Sequence, residues 1–257
     1  MIGISDSEEV LKLIDKVDKY CFDIMTMGVV LSWATELFEK KLISTKETEG
    51  LKLKWGDSAV YKQFIDKIIQ QPNTFFKDIN KGVVHASNIY GGKDFALAFG
   101  KNEMAGYHTG PAAYLGFLLG ARHSHLDNAG YSLDQTLMIN EDPTPEQVVD
   151  KLIAEESFRQ LMSSCSFCFF ARGIYNIDMI SKALYTVGIH RSVEQLQLIG
   201  KEIYLNKYKF KFREGFDFDK LEIPLRITET PDPTGKITIE YIKAGIDYAK
   251  KVIKPVS

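Results

Sequence analysis

Three of the five histidines fall in one stretch, Tyr107-His-Thr-Gly-Pro through Gly120-Ala-Arg-His-Ser-His-Leu-Asp-Asn-Ala-Gly-Tyr131. His123-x-His125-x-Asp127 has a metal-ligand spacing, because side chains at i and i+2 share one face of an extended segment. A zinc site would take its remaining ligands from His85, His108 or His190. On a helix, His123 and Asp127 instead stand at i, i+4 and simply hydrogen-bond. A third reading is a proton-transfer histidine that works without a metal, since imidazole titrates near neutrality. Cys165-x-x-Cys168 places two thiols at a spacing suited to zinc, to part of an iron–sulfur cluster or to a redox disulfide. The plain alternative is a buried pair beside Phe167, Phe169 and Phe170. Cys21 is the only other cysteine, so the chain alone assembles no Cys-only four-ligand cluster. Asp18-Lys-Tyr-Cys-Phe-Asp23 sets two carboxylates around an apolar pair, either to hydrogen-bond a polar cofactor at a helix–loop junction or as solvated surface acids. No glycine-rich phosphate loop of Walker or dinucleotide type is present.

The elements that must position these residues are mainly helical. Ser5 and Ser7 precede Val10, Leu11, Ile14 and Val17, an apolar stripe at helical spacing. Val29 to Lys41 continues the pattern, with Trp33, Leu37 and Phe38 inward. Ser58 is placed to cap a helix carrying Val60, Phe64, Ile65 and Ile68, which Pro72 must stop near Gln71. Thr144-Pro145-Glu146-Gln147 and Ser192-Val-Glu-Gln195 are capping boxes, the first with proline at the first helical position. A last helix is expected over 237–253. Lys207-Tyr-Lys-Phe-Lys-Phe-Arg213 alternates basic and aromatic residues, which predicts an extended strand with one buried face. The same alternation suits a platform for single-stranded nucleic acid, but Asp217 and Asp219 follow at once and weigh against it. The Gly91-Gly92 pair and the change of composition after it predict a boundary between helical domains 1–92 and 93–257.

Length and composition limit the classes available. The chain has 257 residues, 45% hydrophobic and 26% charged, which excludes an intrinsically disordered protein and allows a substantial core. A formal charge of −2 leaves no general basic field for nucleic acid or an anionic membrane. The longest apolar stretches, Val29–Ala34 and Ala112–Ala121, are shorter than the roughly 20 residues of a membrane span. The start, MIGISDSEEV, lacks the basic and apolar regions of a secretory signal. With an odd cysteine count, reduced thiols in a cytoplasm are the expectation.

Taken in order, several blocks resemble the C-terminal half of the aldehyde ferredoxin oxidoreductase family, the tungsten- or molybdenum-pterin enzymes. They are Asp18-x-x-Cys-Phe-Asp23, Ser32-Trp-Ala-Thr-Glu-Leu-Phe-Glu-Lys40, Gly50-Leu-Lys-Leu-Lys-Trp-Gly-Asp57, Gly100-Lys-Asn-Glu103 with Tyr107, Gly120-Ala-Arg-His123, Cys168-x-Phe170, Arg213-Glu-Gly-Phe216 and Ile223-Pro-Leu-Arg226. The resemblance implies a mainly α chain of two helical domains, like domains 2 and 3 of that family. In the family they clamp over a bis-pterin metal site on an N-terminal β domain. It implies that Asp18 and Asp23 approach one pterin, that Cys168 is the fourth cysteine of a 4Fe–4S cluster, and that His123 lies at the substrate end. An aldehyde is then oxidised to a carboxylate, and the cluster passes electrons singly to ferredoxin. The N-terminal pterin-binding domain and its Cys-x-x-Cys-x-x-x-Cys run are not in this sequence, and the expectation is a partner polypeptide that carries both. Two departures stand out. Cys21 replaces the glycine of the first Asp-x-x-Gly-Leu motif, and Ser163-Ser-Cys-Ser-Phe-Cys168 lacks both aspartate and glycine of the second. The competing expectation is a cofactor-free helical binding or structural module descended from the family.

Overall fold

The computed structural model describes residues 2–128, 130–171 and 173–253. The chain is mainly α-helical and divides into two compact units, 1–106 with 222–230, and 107–221 with 231–257. Gly91 and Gly92 lie inside the first of these, where Gly91 ends a helix.

In the first unit α1 (Ser7–Lys19) begins at Asp6, whose carboxylate accepts the Glu8 and Glu9 N–H groups, and it buries Leu13 and Val17. α2 (Ile24–Glu39) is the central helix, with Met27, Val29–Leu31, Trp33, Ala34 and Leu37 all buried. α3 (Ser58–Gln70) starts one residue earlier than its serine suggests, because Asp57 is the cap and Ser58 the first helical residue. It ends at Gln71 in the left-handed region, just before the proline that forbids continuation. α4 (Thr74–Ile79) and α5 (Val83–Tyr90) complete this core, in which Phe75 packs edge to face with Phe64 and Phe76. A small hairpin pairs β1 (Ala98–Phe99) with β2 (Asn102–Glu103), Ala98 opposite Glu103.

The second unit is built on α6 (Pro111–Leu119), whose nine residues are all buried. Proline opens the helix, and its second and third N–H groups, from Ala112 and Ala113, both donate at 2.9 Å to Asp134, which lies 22 residues beyond Ala112. Asp134 stands where α7 (Gly130–Leu133) passes into a π-turn, Asp134–Met138. α8 (Pro145–Ser164), α9 (Ile177–Thr186) and α10 (Val193–Arg213) follow. Both capping boxes form as read, at Thr144 with Gln147 and at Ser192 with Gln195. α11 (Arg226–Glu229) returns to the first unit, where Arg226 pairs with Glu36. α12 (Ile239–Val252) then packs on α8 and α6.

The strand expected over 207–213 is overturned. These residues are the last turns of α10, with Tyr208 buried and Phe210 exposed. The period-two alternation of Tyr208, Phe210 and Phe212 misleads, because Tyr208 and Phe212 also stand at i, i+4 and their rings meet at 5.9 Å on one helix face. No single helix among the described residues is long and apolar enough to cross a membrane.

Candidate functional site

The turns that carry the two aspartate and cysteine motifs close in the same way. At the end of α1, Phe22 N–H donates to Val17 C=O at 3.2 Å and Cys21 N–H to Asp18 C=O at 2.9 Å. At the end of α8, Phe167 N–H donates to Met162 C=O at 3.0 Å and Ser166 N–H to Ser163 C=O at 3.1 Å. Each is a Schellman closure, with its apolar residue folded back onto the helix it ends. Cys21 (φ 58°) and Ser166 (φ 59°) occupy the left-handed position, which Gly188 and Gly215 fill at the ends of α9 and α10. These are the two positions where the motifs depart from glycine, so the backbone shape outlives the residue that suits it.

The chemistry offered by the two turns differs. The first is exposed at Asp18, Cys21 and Asp23, and the Asp23 carboxylate caps α2 by accepting Thr26 N–H at 2.6 Å. The second exposes only Ser163, Ser164 and Ser166 before the free, exposed thiol of Cys168. Cys165 goes the other way. It is half-buried against the cluster of Leu161, Met162, Ile180 and Leu196, and burial pushes its thiol up.

His123 sits deeper. It ends the turn after α6, is 8% exposed, and takes a left-handed backbone of φ 54°. Its Nδ1 lies 2.9 Å from Phe117 C=O, which can only accept, so Nδ1 carries the proton and Nε2 the basic lone pair. The ring tilts against Phe216 at 5.8 Å, and the Lys211 ammonium lies 3.8 Å from the centre of that same phenyl ring. Burial, and then the Lys211 charge, push the imidazole down to about 4. His123 is thus a neutral, fixed imidazole at neutral pH. Asp127, fully buried, is bound to the Arg122 guanidinium at 2.6 and 2.7 Å, and the His125 ring packs edge-on to Tyr107. The His-x-His-x-Asp side chains therefore go to three separate neighbours. Among the described residues no group of three or more His, Cys, Asp or Glu converges to hold a metal ion.

Four further residues surround this turn, two of them unnoticed in the sequence (Glu156, Arg159) and two (Tyr208, Lys211) read there only as part of the expected strand. Glu156 and Arg159 come from α8, Tyr208 and Lys211 from α10. Burial pushes Glu156 up to about 8, with the Asp127 charge adding to it, and burial pushes Lys211 down to about 8. Arg159, 2% exposed, donates to Glu155 at 2.7 Å and to the carbonyls of His125 and Leu126 at 3.3 Å. Its guanidinium lies 4.0 Å from the centre of the Phe169 ring, so one side chain touches the His123 loop and the segment beside Cys168. Local pattern carries no trace of Glu156 and Arg159, whereas Tyr208 and Lys211 share a face with Tyr204 at i, i+4, i+7 once 207–213 is read as helix.

Residues 1–252 match the family model for aldehyde ferredoxin oxidoreductase, domains 2 and 3, and the chain belongs to that family. It is 25% identical over 243 residues to the tungsten-containing aldehyde ferredoxin oxidoreductase of Thermococcus kodakarensis, and 24% identical to that of Pyrococcus furiosus. Those alignments cover 91% of this chain and 40% of each relative, so the chain spans about two-fifths of the curated relatives it matches. Among solved structures, it is similar to the active-site complex BamBC of benzoyl coenzyme A reductase with 1,5-dienoyl-CoA. The TM-score is 0.72 and the identity 18%, covering 97% of this chain and 44% of that one, a likeness of fold.

The residues present fit the family's cofactors unevenly. Asp18 and Asp23 give exposed carboxylates of the kind that accepts pterin N–H groups, and Cys168 gives one accessible thiol of the kind that ligates iron. The second turn offers serine hydroxyls where a charged acceptor would stand, and does not fit a pterin in that way.

Proposed function

We propose that this chain is the helical part of an aldehyde ferredoxin oxidoreductase-like enzyme, its first unit serving as domain 2 and its second as domain 3. It works with a separate N-terminal pterin-binding polypeptide that carries the other three cluster cysteines, and the pair acts in the cytoplasm. When bound, the tungsten– or molybdenum–pterin group supplies two-electron oxidation of an aldehyde and water to a carboxylate, with the electrons leaving singly through a 4Fe–4S cluster to ferredoxin. In this chain, Asp18 and Asp23 accept hydrogen bonds from one pterin, Cys168 contributes the fourth cluster thiolate, and His123 offers Nε2 to a proton at the substrate end.

The observation that carries this reading is the exposed Cys168 thiol, two residues from Phe170, which leaves 88% of its surface in water. Nearby Ile174 is 68% exposed. Large apolar side chains left in water close in sequence to an exposed thiol suit a surface that a partner covers. The second reading, a cofactor-free helical module, is favoured by the serines of the second turn. Elemental analysis of the protein purified anaerobically from its own host, with companion polypeptides retained, separates the two. The oxidoreductase predicts tungsten or molybdenum with about four irons per chain, arriving only with a second polypeptide. A metal-free chain without a companion overturns it.

A further inference from the structure

The turn that delivers His123 is tied down at consecutive peptide groups by side chains from distant parts of the second unit. Tyr208 Oη donates to Leu119 C=O, and Lys211 Nζ donates to Gly120 C=O at 3.0 Å. Glu156 Oε1 accepts Ala121 N–H at 2.9 Å, and Asp127 Oδ2 accepts Arg122 N–H at 2.6 Å. The first three partners lie 89, 91 and 35 residues away in sequence. Glu156 and Tyr208 are buried, and Lys211 is half-buried with its ammonium over the Phe216 ring.

A helix end needs none of this to close. The last carbonyls of a helix are satisfied by backbone groups or water, as at the Schellman ends of α1, α9 and α10. Taking ionisable groups out of water opposes folding unless each is well bonded, so their collection on one five-residue turn calls for a role beyond closure. What the turn carries is a single imidazole held in the left-handed backbone region.

We propose that Glu156, Tyr208 and Lys211 are positioning residues for His123. Through the peptide groups of Leu119, Gly120 and Ala121, they fix its backbone so that Nδ1 stays on Phe117 and Nε2 remains the basic nitrogen. Arg122 and Asp127 complete the set beside the turn, and Tyr204 backs Tyr208, its ring 5.0 Å away. This deepens the reading of His123 as the proton-transfer residue, and rests on that reading.

The test reads the ring itself rather than turnover. Long-range proton–nitrogen NMR of the full chain, with His123 assigned from the His123→Gln spectrum, reports both tautomer and titration. The parent is expected to keep one tautomer, protonated at Nδ1, through the neutral range. Tyr208→Phe removes one oxygen, and Lys211→Met removes the donor to Gly120. Each is expected to set the ring exchanging between tautomers and to raise its midpoint by about one pH unit or more, while His85, His108, His125 and His190 stay put. Lys211→Arg and Glu156→Gln, which keep a donor and an acceptor, are expected to preserve the parent tautomer. A merely structural role lowers stability and leaves the ring alone. An unchanged tautomer and midpoint in folded Tyr208→Phe therefore overturns the proposal, even in a protein loaded with metal and cluster. A responsive ring in a chain that never acquires metal upholds the positioning and overturns the oxidoreductase instead.

Discussion

At the scale of single residues, the second unit holds groups whose charge states oppose one another across the pH range. Glu156 has a folded pKa raised from 4.5 to about 8, so the folded state keeps a proton that the unfolded state has released. Its contribution is fully present below pH 4.5 and is lost as the pH rises to 8. Asp134, raised by burial from 3.8 to about 6, acts in the same sense at lower pH. His123, lowered from 6.5 to about 4, acts the other way, adding stability as the pH rises through that interval. Between 6.5 and 8, Glu156 is the raised group still titrating, and the loss across that window is about 1–1.5 kcal/mol, because Lys211, lowered from 10.5 to about 8, begins to add stability at its upper end. Urea unfolding at those two pH values is expected to show that fall in the parent and a flatter profile in Glu156→Gln. Parallel profiles would place the slope elsewhere. Little of this was legible in the sequence. His123 stood out because histidine is rare and chemically specific, whereas a glutamate in the middle of an amphipathic helix carries no mark of burial. Its role depends on Ala121, which comes from a different helix end.

At the scale of elements, helix starts were legible and helix ends less so. Capping boxes are local hydrogen-bond patterns written in three or four residues, so Thr144 and Ser192 announced α8 and α10 correctly. Thr144→Ala is expected to cost about 1 kcal/mol in urea unfolding. The failure over 207–213 arose where one sequence satisfies two periods, and only Tyr208 packing inward against the turn after α6 decides between them. Helix ends are set by backbone conformation, which tolerates unsuitable residues at a cost. Cys21 and Ser166 hold the left-handed position without glycine, so Cys21→Gly and Ser166→Gly are expected to stabilise by about 0.5–1 kcal/mol each, visible as raised midpoints in urea. Gly200 works in the opposite sense. A Cβ there would stand 2.6 Å from Ser157 C=O, on the contact line between α8 and α10. Gly200→Ala must therefore push apart the two helices that supply Glu156, Tyr208 and Lys211, with an expected loss of about 1–3 kcal/mol. Because the residue enters by its backbone clearance, pattern reading gave no reason to single it out.

At the scale of the whole molecule, the chain matches about two-fifths of its relatives' length and yet leaves large apolar side chains in water around residues 170–189. The two thiols of Cys165-x-x-Cys168 divide along this line, one serving the core and one the surface, and the difference separates folding from assembly. Cys165 packs against the cluster of Leu161, Met162, Ile180 and Leu196, so Cys165→Ser buries a hydroxyl in an apolar setting and is expected to lower stability by about 1–2 kcal/mol with no effect on iron. Cys168 is exposed, so Cys168→Ser is expected to leave the unfolding midpoint of the isolated chain within about 0.5 kcal/mol of the parent. On the proposed reading its effect appears in the assembled protein: with an N-terminal polypeptide present, iron should fall well below about four per chain, while tungsten or molybdenum should be largely retained. Iron and tungsten or molybdenum measured side by side on the parent and both cysteine variants test this. If Cys168→Ser keeps its full iron, the exposed thiol is not a cluster ligand.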